Sequence, residues 1–503
     1  MNRYFSCLFF LIVYSTLSVA QLLPKEGKTL NYRIIGFRTE GETIGASCDL
    51  EIAMGNHNSE GPFKENLIKT VKMTDGKVVA EVPSFGRQYT WRTVMQDGAK
   101  KKYSAFHHFS TGFSPVIDTA QYRLRIIKPA TKFRDAYVFL DGNRALYDMN
   151  GNPVWYLPDS DGANNNVNDL KITPQGTITC LLDDNAHEVD FNGRLLWRAP
   201  DSAGVNGEKK ERYNHQFSRL RDGNYMVIGS ERAYIIRHML PGGMKNRTVA
   251  DSITKIPPDD SIREAAPYGT LIEYDQSGKV VWCWRCLSYF KDSGIGYRPV
   301  YNGILEYNLH QNAFYFDEKN KVIYLSLRIG SFILKIAYPD GKVLASYGDS
   351  FKPGAPEVRS GLFCGQHACN VDADGELYLL NNNAGDTLAL PGIVVLDGVG
   401  TSNTKLEKKW EFTFPVESDI AKGASPRYFQ TGGNVTELPD HSFFASLPTV
   451  DSKVFIVGRD KKILWEATPE KWVAESAAWM VCGQYRASIV CTRQELERLI
   501  WNQ

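Results

Sequence analysis

The chain lacks a strong charge of either sign: 58 lysines and arginines face 57 aspartates and glutamates, a net charge of +1. No basic block stands out, so neither nucleic acid nor an anionic membrane surface is an expected partner. Long apolar runs are missing as well. The one short run, residues 7–13, follows the lone charge Arg3 and precedes Ser18-Val19-Ala20 and Gln21. That layout reads as a secretory signal peptide over residues 1–20, because the run is short for a membrane span. A periplasmic or secreted chain with no membrane span is therefore expected. Cysteine is sparse: nine in all, eight beyond the signal stretch. Cys283 and Cys286 form a C-x-x-C with no second pair and no thioredoxin-like βαβ setting, which argues against a thiolate metal site and against redox cycling.

What is present is strand texture. Residues 28–112 alternate in short runs separated by Asp75-Gly76 and Asp97-Gly98, the signature of a small β-sandwich. It is assigned to an N-terminal domain over 21–121. From 122 to 503 a repeat takes over. Its inner half is strand, turn, strand, as around Asp141-Gly142, Gln175-Gly176, Asp222-Gly223 and Asp374-Gly375; its outer half ends in tryptophan, as in Asp148…Gly151…Trp155 and Asp190…Gly193…Trp197. Six inner halves of about 60 residues per unit suit four-stranded blades. The expected fold class is all-β, a six-bladed β-propeller behind an N-terminal sandwich, with a pair of stacked sandwiches as the rival. Residues 236–268 interrupt the repeat without strand periodicity. At the far end Thr492-x-x-Glu495, ahead of Leu496, Leu499 and Ile500, is a capping box opening a short helix.

Of nine histidines, three recur at nearly one register of the inner half. His215 lies ten residues before Tyr225, His367 ten before Leu377, and His310 twelve before Val322 across a slightly longer turn. In a propeller, innermost strands line the channel, so three such imidazoles would meet near its axis. Neighbouring inner strands carry Asn168 or Gly433 near this place, so the fold itself does not demand histidine. Three imidazoles suit catalytic zinc or nucleophilic transfer. Arg328, on the strand paired with that of His310 and Asn312, decides for the latter. A guanidinium repels a divalent ion but binds paired ester oxygens, and it keeps nearby imidazoles neutral. No metal and no cofactor are expected.

Three segments carry a family resemblance: Asn214-His215-Gln216-Phe217 with Asp222-Gly223-Asn224, His310-x-Asn312 with Ser326-x-Arg328, and Gly365-Gln366-His367 with Asp374-Gly375. Together they resemble bacterial arylsulfate sulfotransferases. The resemblance implies transfer of a sulfuryl group from a phenolic sulfate ester to a phenol acceptor without a nucleotide donor, by an exported propeller. It implies His367 as the histidine that becomes sulfated, with His215, His310, Asn312 and Arg328 binding sulfuryl oxygens and managing protons; His310 would be the protonated partner of the leaving group. Asn214, Tyr213, Phe217, Tyr428 and Phe429 are candidate substrate contacts, and a homodimer is the assembly allowed for. A disulfide between Cys364 and Cys369 is the counterpart of the family's bond near the nucleophile. The chain departs from the family at Gln216 and Ala368, where an acidic residue is usual. A hydrolase on the same scaffold and a non-catalytic ligand-binding propeller are the alternative readings.

Overall fold

A computed structural model describes residues 22–39, 47–114, 118–158, 166–202, 204–206, 209–238, 261–293, 298–299, 305–306, 309–349, 360–384, 389–398, 406–416, 431–448 and 452–502. Residues 1–20, read from the sequence as a signal peptide, and Tyr428 and Phe429 lie outside them. The chain divides into two compact units, residues 1–112 and 113–503. Among the described residues no helix is long and apolar enough to cross a membrane.

The N-terminal unit is one continuous eight-stranded sheet, curled into a half-barrel, rather than two facing sheets. Its strands Ser47–Met54, Leu67–Thr74 and Arg87–Asp97 pair in its middle. Alternation puts Leu50, Ile52, Tyr89 and Trp91 on the concave side, where Trp91 meets the edge of Phe37 and Tyr89 stacks on Phe109. A strongly coiled sheet faces itself across its own core, which is why one sheet leaves the sequence pattern of two.

The second unit is a six-bladed propeller of antiparallel sheets, five of them four-stranded and the sixth of six strands. Blades two to five each use consecutive strands, with innermost strands Val167–Ile172, Tyr213–Arg219, Gln311–Asp317 and His367–Val371. Blade six starts from Asn434–Glu437. Blade one departs from the sequence reading, which placed its inner half at Asp141-Gly142: Tyr137–Leu140 is its second strand. Its innermost strand, Ala487–Val490, comes from the C-terminus and pairs antiparallel with Tyr137–Leu140. Strand Tyr122–Lys128 in turn joins blade six beside Ile463–Val473. The two ends of the domain thus close the ring by exchanging strands, and no blade is left with an open seam.

The outer tryptophans act between blades. Trp155 Nε1 donates to the Phe191 carbonyl, Trp282 to Pro339, Trp410 to Arg459, and Trp465 to Met149, the last joining blade six to blade one. Side chains lace the inner strands in the same sense: Gln216 exchanges two hydrogen bonds with the Phe314 backbone and Asn434 two with that of Ala487. Each bond satisfies backbone that a blade edge would otherwise bury unpaired. Gln216, the departure from the family pattern, is therefore one of these laces.

Two further expectations resolve here. The flanks of the supposed irregular segment 236–268 are strands, because Tyr225–His238 and Ser261–Tyr274 pair along fourteen residues each. Hairpin strands held by each other's backbone need no apolar alternation, so periodicity did not mark them. The C-terminal helix, Arg493–Trp501, has its capping box and buries Leu496, Leu499 and Ile500. It lies against the turn at Pro174 and Gln175 in blade two.

Candidate active site

Near the head of the inner strand in blades two to six one residue lies in the left-handed region, and in blades two, three and five it falls within a bulge of the strand pairing. That residue is Asp169 (φ 56°), His215 (60°), His310 (56°), Ala368 (49°) and Gly433 (83°) in blades two to six. Such a bulge re-aims side chains at the strand head, and for a non-glycine residue it costs of order 1–3 kcal/mol. His215 and His310 occupy the left-handed position itself. His367 stands one residue before it, so the three are not in one register. The offset matters: His215 and His310 stay partly exposed, whereas His367 is buried.

The rings of His215 and His310 are 4.6 Å apart between centroids. With Asn214, Tyr268 and Gln311 they line a cavity of about 70 Å³. His215 Nδ1 lies 2.6 Å from the Tyr485 hydroxyl. His367 Nδ1 is 2.7 Å from Asn382 Oδ1, and its Nε2 accepts the Gly432 N–H at 2.9 Å. An accepting Nε2 requires the proton on Nδ1, so these partners select the neutral Nδ1–H tautomer. Burial and the Arg328 guanidinium hold His367 well below the usual histidine range. Burial, His310, Arg486 and Arg328 do the same for His215. His310 is lowered to about 4 by burial and Arg328, so the protonated His310 expected from the sequence is neutral near pH 7. All three imidazoles feel the one guanidinium of Arg328.

Beneath them lies a group the sequence reading missed. Arg486, fully enclosed, stretches from blade one to pair with Asp169 of blade two at 2.8 Å and donates to the Asn312 carbonyl of blade four. Asp141 accepts from the backbone N–H of both Asp169 and Arg486, and burial pushes its carboxyl up to about 8. Tyr485, also missed, is pushed up to about 12 by burial. Both residues sit just ahead of the closing strand, which no repeat motif marks; only the exchange of chain ends brings them to the axis. Asn382 was missed too, because it follows the second strand of its blade and not the first. Beyond the strand heads the channel widens to a cavity of about 310 Å³ lined by Lys171, Ser218, Asn370 and Ser488.

Other candidates move away from the site. Tyr213 is buried with its hydroxyl on the Pro200 carbonyl and Tyr274, and Phe217 is buried against Trp197. Alternation along the strand sends both into the core between blades, away from the histidine cluster. Asn312 is fully buried with its Nδ2 donating to the Gln366 carbonyl, which steadies the approach to His367. Cys364 and Cys369 are both free thiols. The chain turns at Gly365, at φ 62°, and the Asn381 and Ser331 side chains hold the turn by accepting from the backbone N–H of Cys364 and Gly365. Cys369 points into the layer between blades, its Sγ near the Tyr324 carbonyl, and Cys364 faces Ser331. Among the described residues no three metal-ligating side chains converge on one point.

The sequence profile of the Arylsulfotransferase (ASST) family matches residues 127–397, more than half of the 503-residue chain. This chain belongs to the arylsulfotransferase family. The match spans every histidine of the cluster and Arg328, and it ends before Gly432, Tyr485 and Arg486. No curated protein matches the chain. Among solved structures the chain is similar to a Bacteroides caccae protein of unknown function, at 14% identity and TM-score 0.39 over 71% of this chain and 98% of that one. It is also similar to the Pseudomonas aeruginosa periplasmic gluconolactonase PpgL, at 14% identity and TM-score 0.33 over 73% and 99%.

Proposed function

We propose that this arylsulfotransferase-family protein moves a sulfuryl group from a phenolic sulfate ester to a phenol in two steps, through a sulfated His367. The observation that carries the reading is the single Arg328 guanidinium acting on three imidazoles, none of which is protonated near pH 7. A sulfate monoester is a permanent anion with paired oxygens, the ligand such a fork receives best. Arg328 and His215 then hold the non-bridging oxygens while His367 Nε2 attacks sulfur. The aryl oxygen departs with its electron pair as phenolate. Neutral His310 accepts the proton of the incoming phenol, whose oxygen takes the sulfuryl group from His367. Asn382, accepting from Nδ1–H, shares the positive charge that the sulfated ring carries.

Intact-mass measurement after mixing with 4-nitrophenyl sulfate is expected to show one sulfuryl group on the peptide containing His367. Adding a second phenol is expected to speed 4-nitrophenol release and yield the new aryl ester. Sulfate release at the same rate with or without that phenol would identify a hydrolase instead. We also propose export: the mature chain is expected to begin at Gln21, and recovery of intact Met1 in the cytosolic fraction would exclude it.

A further inference from the structure

His367 sits in a closed cycle of three hydrogen bonds. Its Nδ1–H donates to Asn382 Oδ1, Asn382 Nδ2 donates to the Gly432 carbonyl at 3.1 Å, and the Gly432 N–H donates back to His367 Nε2. The last bond occupies the lone pair that attack on sulfur needs. Gly432 and Gly433 both lie in the left-handed region, at φ 81° and 83°. A Cβ on Gly432 would come within 3.1 Å of both Pro448 and the Tyr485 ring. Residue 432 is thus glycine for two reasons, conformation and space, and its amide is pressed toward the imidazole.

We propose that the Gly432 N–H is a catalytic donor: it caps His367 Nε2 in the empty site and passes to a sulfuryl oxygen as the N–S bond forms. The proposal rests on His367 being the nucleophile and goes further by assigning a main-chain group to the transferred anion. The Nε2 lone pair becomes the N–S bond, and the bond from sulfur to the aryl oxygen breaks with its electrons on the phenolate. Gly432 keeps its proton throughout. A sulfur on Nε2 takes the place the amide hydrogen now holds, so the 431–432 peptide must swing aside as the N–S bond forms, which brings its N–H to one of the three sulfuryl oxygens; glycine tolerates the change of backbone angles. The exchange replaces a neutral N–H···N bond with a charge-assisted N–H···O bond. The donor is therefore worth more in the transition state than in the resting site, which is the condition for catalysis. The cap has a second effect, since an occupied lone pair resists protonation.

The test deletes that one hydrogen. Glycolic acid placed at position 432 in the full chain turns the 431–432 amide into an ester. The same replacement at position 433 is the control: it removes the N–H that donates to the Tyr485 carbonyl at 2.8 Å and weakens the Gly432 carbonyl as the acceptor of Asn382 Nδ2, but it keeps the Gly432 N–H. Single-turnover release of 4-nitrophenol is expected to slow about 10²-fold with the ester at 432, and to stay within a few-fold with the ester at 433. In the wild type labelled with ¹⁵N, the scalar coupling between the Gly432 amide and His367 Nε2 is expected to vanish on sulfation while the amide proton stays protected. A 432 ester that sulfates His367 at the wild-type rate would overturn the proposal and leave the nucleophile standing. So would a coupling that persists in the sulfated protein. A wild type carrying no sulfuryl group on His367 would overturn both.

Discussion

The inner ring has two sides built from one backbone device. In blades three to five the strand heads carry His215, His310 and His367; in blades one, two and six the corresponding places hold Arg486, Asp169 and Gly433. Left-handed residues recur on both sides, in blades two to six, so this backbone feature does not separate them. Charge does. On one side three imidazoles are kept neutral by burial and by Arg328. On the other, a full positive charge is buried and answered by Asp169. The second side also works for the first, because Arg486 contributes to the lowering of both His215 and His367. The two halves, one reactive and one structural, thus share left-handed strand heads in blades two to six and differ in whether the side chains buried there are neutral or charged.

The comparison makes the largest effect fall on the histidine side. His367→Ala is expected to lower the rate of transfer on the order of 10⁴-fold or more, the scale for loss of a nucleophile, with a lower melting temperature because Asn382 and the Gly432 N–H lose their buried partner. Substantial turnover without a sulfated peptide would move the chemistry to another group. Next comes the structural half. Arg486→Met leaves Asp169 buried with Lys171, at 2.6 Å, as its one remaining ionic partner among the described residues. Urea unfolding is expected to show a loss of about 3 kcal/mol, the lower end for breaking a buried pair. Unchanged stability with a collapsed rate would erase the division between the halves.

Arg328→Met separates the electrostatics of the two halves. The unfolded chain protonates its histidines near the ordinary value of 6.5, whereas folded His310 does so only near 4. The unfolded state therefore binds more protons between these values, and stability falls as the pH drops through that interval. In the wild type the acid limb of activity is expected well below pH 6.5. In Arg328→Met it should move toward 6.5, alongside weaker donor binding; a limb that does not move would leave burial as the whole cause. The smallest effect is expected from Tyr485→Phe, which removes the hydroxyl from His215 Nδ1. One hydrogen bond of this kind is worth about 1 kcal/mol, so kcat/KM should fall several-fold. A loss beyond a hundredfold would make Tyr485 a participant in proton transfer.

The sequence by itself determined the repeat. Inner hairpins with Asp-Gly turns and outer hairpins ending in tryptophan are local patterns, because strand alternation and turn chemistry act over a few residues. His215, His310, Arg328 and His367 were legible for the same reason, each standing at a recognisable place in a unit. Tertiary structure alone decided what no unit contains. The closing strand comes from the far end of the chain, and with it Tyr485 and Arg486 reach the axis. Asn382 and Gly432 meet His367 from a loop and from the next blade. Tyr213 and Phe217 turn away into the core, and Cys364 and Cys369 stay apart because other side chains hold the turn between them. These outcomes depend on contacts between residues distant in sequence, and a pattern that repeats along the chain carries no record of which blade stands beside which, or of where the ring closes.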